Sequence, residues 1–240
     1  MKLNFQQKNF LLVLWIILVV ACSSQRSLTK QEVIEDIIHS ISSENLKTTV
    51  LELQNFNTRY PYEKQLKVAD YLYNRIKAYI PDTQFHIYEY WGVYWKNVIA
   101  TIPGLDYPNK VYIVCAHFDS KSEKRLVYAP GADDNASGCA AVLEVARVLS
   151  SYHFKHTIKF IFFSREENGQ NGSRAYIRSI NPNEEKIIGV INIDMIAFGS
   201  DKEDIDLVTR PKHRWIVNYV NQIGKLYNIP TKKVIKKHCF

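Results

Sequence analysis

The chain has 240 residues, of which 46% are hydrophobic, 12% aromatic and 23% charged, and its formal net charge is +7. These values are typical of a globular domain, and they exclude a disordered tail, a collagen-like repeat and a protein with many membrane spans. The basic residues are scattered, except for clusters at 121–125 and 232–237, and no nucleic-acid reader motif accompanies them. We therefore expect one α/β domain without a nucleic-acid partner.

The N-terminus carries an almost entirely apolar run at residues 10–21, preceded by Lys2 and Lys8. The run is shorter than the roughly 20 residues of a membrane-spanning helix, and it is typical of a secretory signal. It ends in Val19-Val20-Ala21-Cys22, which resembles the bacterial lipobox, whose cysteine becomes the lipidated N-terminus. We predict a signal peptide at 1–21, a lipidated Cys22 with a linker through residue 30, and export to the periplasmic or outer-membrane face of a bacterial membrane. An uncleaved signal anchor is the alternative.

Helical and strand patterns alternate along the rest of the chain. Apolar residues recur at helical spacing in the first part, as at Leu66, Ala69 and Leu72, whereas short continuous apolar runs indicate buried strands. The predicted elements are, in chain order, helices at 31–53 and 62–79, strands at 85–90, 97–102 and 111–116, a helix at 136–151, a strand at 157–163, a helix at 173–180, strands at 187–195 and 205–208, and a helix at 213–227. Such alternation predicts a three-layer α/β/α fold around a twisted, largely parallel mixed sheet.

Polar residues of the metal-ligand type follow the predicted strands where these strands end, and others lie in a Gly- and Asp-rich loop at 130–138. They are His117, Asp119, Asp134, Glu166, Glu167 and Asp194. In α/β sheets, ligands bind beyond the carboxyl ends of the strands. Carboxylates that lie close together raise each other's pKa unless a cation neutralises them. Mixed imidazole and carboxylate donors suit Zn²⁺, with Co²⁺ and Mn²⁺ as alternatives.

Two spacings support a catalytic metal site. His117 and Asp119 are two residues apart, so in an extended strand both side chains point the same way, and Asp119 can orient the imidazole. Glu166 and Glu167 are adjacent, and neighbouring carboxylates cannot both bind one ion in the same manner. One of them can bind metal while the other serves as the general base toward a water molecule.

Four sequence blocks resemble peptidase family M28, a family of zinc aminopeptidases. They are CAHFDS at 115–120, PGADDNASG at 130–138, EENGQNGS at 166–173 and NIDM at 192–195. The similarity covers roughly residues 57–227, and the segment Asn57-Thr58-Arg59-Tyr60 also looks like the family sequence before its first domain helix. The resemblance implies a zinc-dependent exopeptidase that removes N-terminal residues from peptides by means of an activated water.

The resemblance also implies residue roles. His117 and Asp194 would bind one zinc ion, Asp134 would bridge two ions, and Glu167 would bind the second. Glu166 would be the general base and Asp119 the residue that orients His117. The peptide bond between Asp134 and Asn135 is often cis in the family.

The C-terminal end departs from the family pattern. The last family ligand is a histidine in a block similar to Ser-Asp-His-x-x-Phe, whereas this sequence ends in Lys236-Lys237-His238-Cys239-Phe240. The preceding Asp is absent, and the spacing to Phe is shorter. We therefore expect the domain of residues 31–240 to be incomplete at its C-terminus, His238 to be solvated, and one zinc ion rather than two to be held tightly.

Two alternatives remain open. A glutaminyl-peptide cyclotransferase of related fold uses a single zinc ion, and the block at 116–121 would fit it, whereas the block at 131–138 fits the peptidase better. The other alternative is an inactive, truncated lipoprotein. The complete family site holds two zinc ions, so the number of bound metal ions separates the first alternative from a complete peptidase.

Overall fold

The computed structural model describes residues 29–199 and 205–236. The predicted signal peptide, the lipidation site Cys22 and the terminal His238 lie outside the described residues. Within these two ranges, no helix combines the length and the apolar character that a membrane span requires.

Three helices come first: α1 (Lys30–His39), α2 (Ser43–Gln54) and α3 (Tyr62–Lys77). The prediction of a single helix over 31–53 is wrong, because a break at residues 40–42 divides it. Ser42 begins the second helix, since its hydroxyl accepts a hydrogen bond from the backbone N–H of Asn45 at 3.1 Å. Such an N-cap satisfies an amide that has no partner inside the helix.

The main sheet contains β1 (Thr83–Tyr90), β2 (Val93–Ile102), β3 (Gly104–His117), β4 (Phe154–Phe163) and β5 (Lys186–Asn192). Their order in the sheet is β1–β2–β4–β3–β5. Strand β2 pairs antiparallel with both β1 and β4, whereas β3 pairs parallel with both β4 and β5. This is the mixed sheet that the sequence predicts.

Helices cover both faces of this sheet, which confirms the predicted α/β/α layers. Val114 and Phe160 belong to a core shared with α1, α2, α3 and a fourth helix, α4 (Gly138–Leu149). Ile113 and Ile161 point to the opposite face, where they pack with Tyr176 of α5 (Asn171–Ser179). Successive strand residues face opposite sides, so each apolar run serves two cores.

The parallel register places the carboxyl ends of three strands at one edge of the sheet. His117 of β3 lies opposite Phe163 of β4, and Cys115 of β3 lies opposite Asn192 of β5. The residues that follow these three strands are therefore neighbours in space.

Several strand bounds differ from the prediction: β2 begins at Val93 rather than at residue 97, and β5 ends at Asn192 rather than at residue 195. Strand β3 begins at Gly104 rather than at residue 111, with register irregularities before Val111. Strand β5 is not buried: Val190, for example, is 46% exposed. The reason is that β5 is the last strand on its side of the described sheet. A second sheet pairs β6 (Ile205–Thr209) in parallel with β7 (Thr231–Ile235), and α6 (Arg214–Leu226) connects them. The sequence pattern does not predict β7, because its lysines belong to the basic cluster at 232–237, which is typical of a solvated surface.

Candidate metal centre

His117 is the centre of the site, at the carboxyl end of β3. Its side chain is only 3% exposed, and its Nε2 atom lies 3.1 Å from Oδ1 of Asp134 and 3.5 Å from Oδ1 of Asp194. Its Nδ1 atom faces the other way and lies 3.1 Å from the backbone carbonyl oxygen of Asp119. The imidazole therefore presents one nitrogen to two carboxylates and holds the other against the protein.

These three side chains form a group that could hold a cation. One donor atom from each of His117, Asp134 and Asp194 lies within 4.8 Å of the others. An imidazole with two carboxylates is a donor set that suits zinc, and three protein ligands leave a position for water in a catalytic site. The residues present thus fit a zinc ion at this place.

The loop that carries Asp134 is attached to the segment that carries Asp194. The peptide bond between Asp134 and Asn135 is cis. The Asn135 side chain donates a hydrogen bond to the carbonyl oxygen of Ile193 at 2.9 Å and accepts one from the Gly138 amide at 2.9 Å. The residue after one proposed ligand therefore binds the residue before another, and it also joins the start of α4.

Asp119 connects β3 to the segment with the paired glutamates. Its side chain is fully buried, and its two carboxylate oxygens accept hydrogen bonds from the backbone amides of Glu166 at 2.9 Å and Glu167 at 3.1 Å. Its Oδ1 atom also lies 3.5 Å from Nδ1 of His117. The predicted orienting residue thus reaches the imidazole chiefly through its own carbonyl, while its carboxylate anchors the next loop.

Glu166 and Glu167 lie beside the three-residue group but do not belong to it. Both side chains are half-buried. Burial is the largest cause that raises the pKa of Glu167 to about 7, and the charges of Asp134 and Asp119 raise it further. Burial also raises the pKa of Glu166 above its ordinary value. Both shifts therefore come first from burial and then from the neighbouring negative charges.

Hydrogen bonds inside the three-residue group shift the pKa values of His117 and Asp134. Burial lowers the pKa of His117, but hydrogen bonds with Asp119, Asp134 and Asp194 outweigh burial and raise it. The hydrogen bond to His117 in turn lowers the pKa of Asp134. Positive charge is therefore favoured at the point where a cation would sit.

The sequence identified the clustered residues but missed their supports. Asp133 accepts hydrogen bonds from the amides of Ala197 at 2.7 Å and Phe198 at 3.2 Å, so it fixes the turn after Asp194. For Asn135 the resemblance predicts the cis bond with Asp134, which the structure confirms, but not the hydrogen bonds of its side chain. The one available signal was adjacency, because both residues flank Asp134 directly.

Comparison with known sequences gives a family match. The sequence profile described as Peptidase family M28 matches residues 97–238. A probable zinc metalloprotease of Pyrenophora tritici-repentis is 27% identical over 198 residues, which are 72% of this chain and 45% of that protein. A probable leucine aminopeptidase of Trichophyton verrucosum is 29% identical over 231 residues, which are 87% of this chain and 60% of that protein. The chain thus spans only about half the length of these relatives.

Comparison with solved structures supports the fold. The LapA aminopeptidase of Legionella pneumophila superposes with a TM-score of 0.73 at 21% identity, over 90% of this chain and 60% of that one. A glutaminyl cyclase of Bacteroides thetaiotaomicron gives a TM-score of 0.62 at 18% identity, over 82% of this chain and 77% of that one. Both likenesses show the α/β architecture alone.

Proposed function

Because the chain belongs to peptidase family M28, we propose that it is a zinc-dependent aminopeptidase that hydrolyses N-terminal residues from peptides. One observation carries the proposal: Nε2 of His117 lies 3.1 Å and 3.5 Å from the carboxylates of Asp134 and Asp194. Ordinary turn residues do not require a buried imidazole that faces two acids. A zinc ion explains the arrangement because it neutralises both carboxylates.

The proposed ligands divide into a complete set and a partial one. His117, Asp134 and Asp194 would hold one zinc ion. Asp134 together with Glu167 would contribute to a second. Bound zinc supplies a water of lowered pKa and polarises a carbonyl oxygen.

The proton-transfer role falls to Glu166 in this proposal. Its carboxylate would take the proton from the attacking water and deliver it to the nitrogen of the departing amine. The hydrogen bond from its amide to Asp119 supports this role, because it holds the Glu166 backbone against the strand that carries His117. Burial of part of the Glu166 side chain also raises its pKa, which favours the protonated form that a proton donor needs.

We also propose that the protein is exported and anchored to a membrane through Cys22. The support is the sequence alone: a short apolar run followed by Ala21-Cys22 and two serines. Peptides that reach that side of the membrane would then be its substrates.

The enzymatic proposal is tested with a matched pair of substrates. The full chain, purified in detergent and supplied with zinc, is assayed with leucyl-p-nitroanilide and with its N-acetylated form. Cleavage of the free-amine substrate only, abolished by a chelator and restored by zinc, is the expected result. Cleavage of both substrates would contradict an aminopeptidase. Conversion of an N-terminal glutaminyl peptide to pyroglutamate without cleavage would instead support the cyclase.

A further inference from the structure

A fully buried arginine lies behind the metal centre, in the segment between α2 and α3. Arg59 is 0% exposed. Its guanidinium donates hydrogen bonds to four backbone carbonyls, those of Leu53, Phe118, Pro130 and Gly131. Among the described residues, no carboxylate forms an ion pair with it within 4 Å. The residue also precedes the part of the chain that the family profile covers, which begins at residue 97.

Three of the four acceptors of Arg59 belong to two loop segments at the ends of the connection between β3 and α4, beside His117 and Asp134, whereas the fourth, Leu53, lies in α2. Its Nε atom lies 2.7 Å from the carbonyl oxygen of Phe118, the residue between His117 and Asp119. Its Nη2 atom lies 2.9 Å from the carbonyl oxygen of Gly131, shortly before Asp134. A guanidinium is planar and rigid, so it fixes the distance between the carbonyls that it joins. One side chain therefore sets the separation of two ligand-bearing loops.

The residues on either side of Arg59 extend this support. Its own amide donates to the hydroxyl of Ser120 at 3.1 Å, and that hydroxyl donates to the carbonyl oxygen of Ala129 at 2.6 Å. The hydroxyl of Tyr60 donates to the side-chain oxygen of Asn168 at 2.8 Å, directly after Glu167. The segment thus contacts all three loops that follow β3, precede α4 and follow β4.

Gly131 shows how closely the loop approaches the guanidinium. Its φ angle is +49°, which favours glycine, and a Cβ atom placed there would lie 2.7 Å from Nη2 of Arg59. The same atom would lie 2.2 Å from the carbonyl oxygen of Asp134. A residue with a side chain therefore does not fit at position 131, between Arg59 and the backbone of Asp134.

We propose that Arg59 is a positioning residue of the metal centre, which fixes the separation of His117 and Asp134 and thereby sets the affinity for the ion. The ion's identity as zinc rests on the proposed function. Arg59 contacts neither the ion nor a substrate, and it acts through the carbonyls of Phe118 and Gly131. Residues that orient metal ligands in this way typically change metal affinity or activity by ~10–100-fold when they are replaced.

Two substitutions of Arg59 separate geometry from charge. Arg59→Lys keeps the positive charge but loses the planar fork, so it cannot satisfy carbonyls of both loops at once. Arg59→Met keeps an unbranched stem and removes both charge and donors. The matched control is Arg75→Met, because Arg75 donates to Glu52 and to the Tyr71 hydroxyl and touches none of the three loops. A milder variant, Ser120→Ala, removes only the hydroxyl that links Arg59 to Ala129.

The readouts are metal binding and ligand geometry, both measured without substrate. The zinc dissociation constant is obtained by competition with a chromophoric chelator, and the visible absorption of bound Co²⁺ reports the coordination. We expect both Arg59 variants to bind zinc ~10–100-fold more weakly than the wild type, with an altered Co²⁺ spectrum. Arg75→Met should leave both quantities unchanged, and Ser120→Ala should fall between them.

Wild-type zinc affinity and an unchanged Co²⁺ spectrum in Arg59→Lys would overturn the proposal, and so would an equal loss in Arg75→Met. If Arg59→Met does not fold, Arg59→Lys and Ser120→Ala still decide the question. Zinc binding without any peptide cleavage in the wild type would overturn the proposed function and leave the role of Arg59 intact.

Discussion

Replacing Asp119 by asparagine tests how strongly one buried carboxylate holds the site together. The wild-type oxygens accept the backbone amides of Glu166 and Glu167 at 2.9 Å and 3.1 Å. Asparagine has the same shape, but one oxygen becomes an amino group, which is a donor and would face another donor. One hydrogen bond is therefore lost, and the remaining one no longer has an ionised acceptor.

The magnitude follows from these two bonds. A hydrogen bond to a charged group contributes about 1.5–3 kcal/mol, and a buried donor without an acceptor costs about 1–3 kcal/mol. These effects overlap, because the lost bond and the unsatisfied amide are the same event. We expect the free energy of unfolding to fall by about 2–4 kcal/mol in Asp119→Asn.

The measurement is urea unfolding in the presence of a chelator, so that bound metal does not contribute to stability. Asp36→Asn is the control, because Asp36 lies on the exposed face of α1 and accepts a hydrogen bond from the Tyr152 hydroxyl at 2.8 Å. A surface change of this kind should alter stability by less than about 0.5 kcal/mol. If Asp119→Asn is no more destabilising than Asp36→Asn, the buried carboxylate does not anchor the loop as described.

Three further outcomes are expected. Glu166→Gln should keep its zinc, counted by elemental analysis, and lose turnover by about 10²–10⁴-fold, whereas Glu167→Gln should lose metal; equal metal loss in both would show that their roles are misassigned. The wild-type chain, dialysed against buffered zinc, should retain at least one tightly held ion, because His117, Asp134 and Asp194 supply three ligands; a chain that loses all its zinc under these conditions would contradict this. Cys22→Ala should abolish metabolic labelling with a radioactive fatty acid. If mass spectrometry finds Cys22 of the wild-type protein without a lipid, the proposed anchor is refuted.

The site could be predicted from the sequence where its signal is local. Parallel strands bring their carboxyl ends to one edge, so His117 at the end of β3 and Asp194 just after β5 had to lie close together, whatever the details of packing. The cluster of His117 with Asp134 and Asp194 fulfils that expectation. Metal-ligand residue types at strand ends are visible in the sequence itself.

The rest depends on contacts that leave no local pattern. Arg59 reaches acceptors 59 to 72 residues away in sequence, and a single arginine before a helix carries no periodicity. Ser42 divides a helix because its hydroxyl caps one end, which competes with an otherwise continuous apolar spacing. The exposure of β5 depends on which strand lies beside it, and an apolar run has the same appearance at the edge of a sheet and in its centre.

The bond between Ser120 and Ala129 has a consequence for how this enzyme class could diversify. Both residues are buried, and the bond closes the chain on itself, whereas every residue from 121 to 128 is exposed. Within that excursion Arg125 contacts the segment that carries Arg59, because its carbonyl oxygen accepts a hydrogen bond from the Thr58 hydroxyl at 2.6 Å and its guanidinium lies over the Tyr60 ring. Insertions or deletions that keep Ser120, Arg125 and Ala129 in place could therefore change this exposed surface, with its Leu126 and Tyr128, while the supports of His117 and Asp134 stay as they are.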